Sequence, residues 1–143
     1  MNNKYMHFAI KQAKQVQNDV PVGAVVVKNG EVISCGFNTK ENDNDITSHA
    51  EIIALKKASE LLNNWRLDGC DIYVTLEPCP MCAWAILQSR IKNIYFGSYD
   101  NNYGGFTVAN LEKLSDLKPN IYGGICEQEC NALLKSFFEN LRK

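Results

Sequence analysis

Much that would mark a chain for a particular task is missing from these 143 residues. No run of eighteen apolar residues occurs, which excludes a transmembrane helix. No apolar h-region follows Lys4, so no secretory signal is read and a cytoplasmic location is expected. Basic and acidic side chains nearly balance, 15 against 16, for a formal charge of −1 and a pI of about 6.1. No basic footprint therefore announces nucleic acid. Repeats, low-complexity tracts and linkers are absent, so residues 1–143 are read as one domain, long enough to bury a core without staples. Histidine is scarce: there are two, His7 and His49.

What is present begins with ordinary globular composition, 45% apolar and 22% charged. Six cysteines in a chain of this length with no secretory signal are read as thiols. Cys35 and Cys70, at the edges of apolar segments, are expected as small core residues. Cys126 and Cys130 stand at i, i+4 and could share a helix face, with a metal pair there as the minor alternative.

The apolar spacing predicts a helix over Tyr5–Val16, stopped by Asn18-Asp19 and Pro21. A valine-rich strand, Val22–Lys28, leads into Asn29-Gly30, a strong hairpin signal, and Glu31–Cys35 returns. A polar loop, Lys40–Thr47, precedes a helix from Ser48 whose stripe is Ile52, Ile53, Leu55, Ala58, Leu61 and Leu62. Asp71–Leu76 reads as a strand. Pro80 opens the next helix, which runs on to Ser89. Asn93–Gly97 is a fourth strand, Leu111–Leu114 a helical turn and Asn120–Ile125 a fifth strand. Gln128–Leu141 closes as a helix expected to bury Leu133, Leu134, Phe137, Phe138 and Leu141. This order predicts an α/β fold of three layers, α/β/α, around a mixed five-stranded sheet. Parallel pairing is expected for the strand–helix–strand passages.

The chemistry concentrates between His49 and Cys82. One histidine and two cysteines at a two-residue spacing are three good zinc ligands, one short of a filled tetrahedron, and a catalytic zinc keeps that fourth position open for water. Glu51 adds a carboxylate beside it. Cys79 and Cys82 fall where a strand gives way to a helix, and the helix start lowers thiol pKa. The bland readings are a redox pair or half of a structural zinc site, but no second cysteine pair has zinc-ribbon spacing, and His7 is read as a partly exposed helix residue. Ser48-x-x-Glu51 also has the form of a capping box, in which the glutamate only caps its helix.

His49-Ala50-Glu51 followed by Pro78-Cys79-Pro80-Met81-Cys82 is similar to the His-x-Glu … Pro-Cys-x-x-Cys signature of the cytidine/deoxycytidylate deaminase superfamily. Further blocks resemble the bacterial tRNA-specific adenosine deaminases over nearly the whole length. They are Val20–Val25, Gly36-Phe37-Asn38, Tyr73–Cys79, Ser89-Arg90-Ile91, Phe96-Gly97 and Glu129–Phe138. The resemblance implies a cytidine deaminase-like fold. It also implies zinc-dependent hydrolytic deamination of adenosine to inosine at the wobble position of a tRNA anticodon, by a homodimer with one zinc per subunit. On it, His49, Cys79 and Cys82 hold the metal, and activated water attacks C6 of adenine. Glu51 takes the water's proton, passes one to the purine and finally protonates the leaving ammonia. Asn38, the Ala50 backbone amide and Asp100 become substrate contacts, with Val22 and Leu76 as apolar walls.

Two departures stand out. After Asp100 the family usually runs Lys-x-Gly-Ala-Ala-Gly-Ser, where this chain has Asn101 to Thr107, with Tyr103 and Phe106 either stacking on bases or buried in the loop. Trp84 replaces a usually small residue. The rival reading is a small-molecule deaminase of the same superfamily acting on guanine, cytosine or a nucleoside, since Pro-Cys-Pro-Met-Cys also occurs in guanine deaminases and the acidic pI suits a free base. A non-catalytic zinc-binding interaction domain is the third.

Overall fold

The computed structural model describes residues 3–141. Helix α1 (Lys4–Ala13) precedes the hairpin of β1 (Gly23–Lys28) and β2 (Glu31–Phe37). A one-turn helix α2 (Lys40–Asp43) leads to α3 (Ala50–Leu62), β3 (Cys70–Leu76), α4 (Pro80–Gln88) and β4 (Asn93–Ser98). A 3-10 turn (Leu111–Leu114), β5 (Asn120–Tyr122) and α5 (Glu127–Leu141) complete the order. The sheet runs β2-β1-β3-β4-β5. β1 is antiparallel to both β2 and β3, and β3, β4 and β5 are parallel. The expected mixed five-stranded sheet between helical layers is therefore what forms.

At the hairpin, Asn29 (φ 51°) and Gly30 (φ 78°) take the two positive φ values that a two-residue type I′ turn requires. A bulge follows: Val26 pairs Ser34 and Val27 pairs Val32, which leaves Ile33 extra. The passage β3–α4–β4 gives neighbouring parallel strands. The passage β2–α3–β3 does not, because β1 lies between the two strands it joins.

Central strand β3 divides its side chains by period two. Ile72 and Val74 join the core under α3 and α4, whereas Tyr73 joins the core under α1. Parallel register sets Tyr73 beside Tyr95, and Tyr95 beside Tyr122. Their rings stack at 4.3 and 5.1 Å on that second face. On the first face α3 buries small residues, Ala50, Ala54 and Ala58, so it sits close to the sheet. A Cβ on Gly36 would come within 2.7 Å of the Ala50 carbonyl, so only glycine lets β2 approach the turn that carries the site.

Several boundaries and faces differ from expectation. α1 ends at Ala13, short of Val16, and the chain turns at Asn18 (φ 61°). The polar loop contains α2, closed by Asn44 in the left-handed region. Leu61 is exposed, since the stripe facing the sheet is the alanine row and Leu55. β5 stops at Tyr122; Gly123 then lies so close to Phe96 that a Cβ there would meet its ring at 2.5 Å, and Gly124 turns the chain at φ 81°. On α5 only Cys130 is buried, seated directly over Gly97 of β4. Leu133, Leu134 and Phe137 are half-buried, and Phe138 and Leu141 are exposed, so α5 seats on the sheet through its first half. Cys70 is buried as expected and Cys35 half-buried, and all six cysteines are free thiols. Among the described residues no helix is long and apolar enough to cross a membrane.

Candidate active site

Two helix beginnings, held side by side, make the site. His49 is the N-cap of α3 and Cys79 the N-cap of α4, both in extended conformation, with Pro80 fixing the first turn of α4. Each cap residue's carbonyl closes its own first turn, to Ile53 at 3.0 Å and to Ala83 at 2.8 Å. Their side chains are thereby turned toward each other across the layer. His49 Nδ1 lies 3.5 Å from Cys82 Sγ and 3.9 Å from Cys79 Sγ, and the three ligand atoms lie within 4.8 Å of one another. Zn–S bonds of about 2.3 Å and Zn–N bonds of about 2.0 Å at tetrahedral angles give edges of roughly 3.5 to 3.8 Å. The donors fit zinc.

The electrostatics agree with that chemistry. Hydrogen bonding from Cys82, and then from His49, holds the Cys79 thiol down to about 4. The same contact, with burial, pushes Cys82 upward, so the two sulfurs share one proton as a unit. Contact with Cys79 raises the His49 imidazole. Glu51 is 4% exposed, and burial pushes its carboxyl up to about 7. The capping box does not form: Ser48 is not the cap, its backbone N–H donates to Asp45, and no side chain caps α3. Glu51 instead turns inward beside the sulfurs.

Above these groups opens a cavity of about 230 Å³. That lies below the roughly 300–1,000 Å³ of drug-sized pockets and gives room for one heteroaromatic base. Val22, Asn38, His49, Ala50, Glu51, Leu76, Cys79 and Asp100 all line it, while Cys82 sits behind, fully buried. Asn38 is also a turn residue: its Nδ2 donates to the Val20 carbonyl at 3.1 Å and its Oδ1 accepts from Lys40 N at 3.1 Å.

Residues 1–98 match the family model of the cytidine and deoxycytidylate deaminase zinc-binding region. The chain belongs to that deaminase family. The tRNA-specific adenosine deaminase of Bacillus subtilis (strain 168) is 42% identical to it, over 97% of this chain and 89% of that protein. A structure solved in studies of A-to-I editing by tRNA:A34 deaminases at the wobble position of transfer RNA matches with a TM-score of 0.87. It is 37% identical, over 93% of this chain and 100% of that one. Guanine deaminase from Bacillus subtilis matches less well, with a TM-score of 0.68 and 33% identity over 77% of this chain and 76% of that one.

Sequence reasoning carried Glu77 only as part of the Tyr73–Cys79 block and gave it no role. It is 1% exposed, yet its carboxylate accepts from the backbone N–H groups of Asp100 (3.1 Å), Phe106 (3.2 Å) and Thr107 (2.8 Å). The Thr107 hydroxyl adds contacts at 2.8 and 2.9 Å. Those partners lie 23 to 30 residues away, so no local spacing signals them. The available signal was a glutamate set directly after the strand and before Pro78-Cys79. Glu77 thus ties the family's divergent loop to the turn that bears Cys79. Within that loop Phe106 is buried, its ring 6.5 Å from Phe96, whereas Tyr103 stands at the cavity rim. His7 is not alone either. It lies within 4.8 Å of Cys126 and Glu129, and pairs with the latter at 3.3 Å.

Proposed function

We propose that the protein is a zinc-dependent hydrolase that converts adenosine to inosine at the wobble position of a tRNA anticodon, with residues 1–143 acting as one deaminase domain. The observation that carries this is the buried Glu51 carboxylate beside three zinc donors, at the floor of a cavity the size of one base. Relatives and the matching A34 deaminase structure supply the substrate.

His49, Cys79 and Cys82 would hold one zinc per subunit. Bound zinc supplies the Lewis acid that makes water nucleophilic near neutral pH. Glu51 moves the protons. With its carboxyl near 7 it can carry the two protons of the attacking water in turn, the first to the purine ring nitrogen beside C6 and the second, from the hydroxyl left on C6, to the departing ammonia. Val22 and Leu76 exclude water along the base. Ala50, first in α3, offers a backbone N–H with no intrahelical partner. Asn38 keeps one of its two amide hydrogens for the purine edge. Asp100 closes the substrate side of the rim.

A second copy would seat on the outer face of α4, where Met81 and Trp84 are exposed, Trp84 at 38%. Apolar surface of this kind on a soluble chain marks an interface, and sedimentation of the protein against Trp84→Glu measures it. A cytoplasmic location follows from the substrate.

The decisive assay offers an anticodon stem-loop, free guanine and cytidine to the zinc-loaded protein. Inosine in the stem-loop is expected, and Glu51→Ala abolishes it. Ammonia from guanine with the stem-loop untouched overturns the assignment.

A further inference from the structure

We propose that Tyr103 is a stacking platform for the nucleobase next to the one that enters the cavity, held in place by Glu77 as a positioning residue. This rests on the RNA substrate proposed above. Tyr103 lines the rim of the cavity and is still 71% exposed. Neither its ring nor its hydroxyl meets a partner among the described residues.

Its backbone, in contrast, is fixed. The N–H groups of Asn102 and Tyr103 both donate to Asp100 Oδ1, at 3.0 and 2.9 Å, and Gly104 N donates to the Asp100 carbonyl at 3.0 Å. On the other side, Gly105 N donates to the Pro78 carbonyl at 2.8 Å, next to Cys79. The Glu77 carboxylate, buried beneath, takes up the amides of Asp100, Phe106 and Thr107. Space is so close here that a Cβ on Gly104 would lie 2.5 Å from Glu77 Oε2, and one on Gly105 would lie 2.4 Å from Ala83 Cβ. Phe106 plugs the loop into the core. One aromatic of the pair is thus structural and the other is presented to solvent.

A cavity of about 230 Å³ admits one base and leaves its neighbour outside. Drawing one base out of a single-stranded loop unstacks that neighbour, whose faces then seek a flat apolar partner. A tyrosine on an anchored backbone supplies it with little loss of freedom on binding. Stacking also suits a chain of net charge −1, which has no overall basic excess to draw in RNA phosphates. Base–aromatic stacking is worth about 1–3 kcal/mol per base, which is roughly a 5- to 150-fold change in affinity.

The test uses the zinc-loaded, full-length protein and an anticodon stem-loop carrying 2-aminopurine in turn on each side of the target adenosine. Wild-type protein is expected to quench one of the two probes. Tyr103→Phe retains the quench. Tyr103→Ala abolishes it and raises KM roughly 10-fold or more, with kcat at saturating RNA retained. Glu77→Gln, which frees the loop while leaving the tyrosine in the chain, raises KM in the same direction and weakens the quench. Deamination by the wild type together with an unchanged KM and quench in Tyr103→Ala overturns this proposal alone. A wild type that leaves the stem-loop untouched overturns the functional reading beneath it.

Discussion

Among the described residues histidine and cysteine come together at two places, and the two clusters differ in everything except closeness. His49, Cys79 and Cys82 lie within 4.8 Å of one another, as do His7, Cys126 and Glu129. In the first, hydrogen bonds hold the Cys79 thiol down to about 4, so a thiolate exists at neutral pH. In the second, burial and then the neighbouring Glu129 carboxylate push the Cys126 thiol up, and it stays protonated. The first sits at the floor of a cavity with a buried carboxylate beside it. The second is open to water, its imidazole and carboxylate more than half exposed and already paired with each other. Proximity of donor atoms is cheap. An ionised sulfur, exclusion of water and room for a reactant distinguish a chemical site from a surface contact.

The sharpest way to break this contrast is to remove a donor from the buried cluster. His49→Ala or Cys79→Ser is expected to lose the zinc, abolish deamination and lower Tm markedly, since metal binding is coupled to folding. Metal analysis and thermal denaturation read it, and full zinc content in either variant would transfer the ion to the other cluster. Glu51→Ala should keep zinc and fold while turnover falls by about 10²- to 10⁴-fold. If zinc is lost along with turnover, Glu51 is a ligand and not a proton carrier. Gly104→Ala forces a methyl against the Glu77 carboxylate and should cost about 1–3 kcal/mol, visible as a lower urea midpoint. An unchanged midpoint would mean the loop shelters the site only loosely. Smallest of all, His7→Ala and Cys126→Ser should leave zinc content and deamination as they were and shift stability by no more than about 1 kcal/mol. A fall from two zinc ions to one would raise the exposed cluster to a true site.

Much of the fold was legible because local rules and tertiary packing agree. Asn29-Gly30 announces its own turn, and Pro80 opens α4 where the chain needs it. The grouping of His49 with Cys79 and Cys82 was legible because one histidine and a Cys-x-x-Cys pair make a donor set one short of a tetrahedron. Legibility failed where a residue's partner is remote or where a helix seats through only part of its length. The apolar spacing of α5 is helical, but Phe138 and Leu141 remain exposed. Leu61 fits the stripe of α3, yet the sheet meets the alanines. Ser48 and Glu51 have capping-box spacing, and tertiary burial turned the glutamate inward instead. The bulge at Ile33 and the task of Glu77 depend on strands and loops far along the chain, which no window of neighbouring residues contains.

Both of the chain's tryptophans, Trp65 and Trp84, look outward from the α3–α4 side. Unlabelled protein therefore carries its own optical gauge of self-association. Excited at the indole band, exposed tryptophans emit at long wavelength, and a second copy seated on α4, as proposed above, would move the emission maximum toward the blue. A simple dilution series in a fluorimeter then follows assembly without touching the zinc or the RNA.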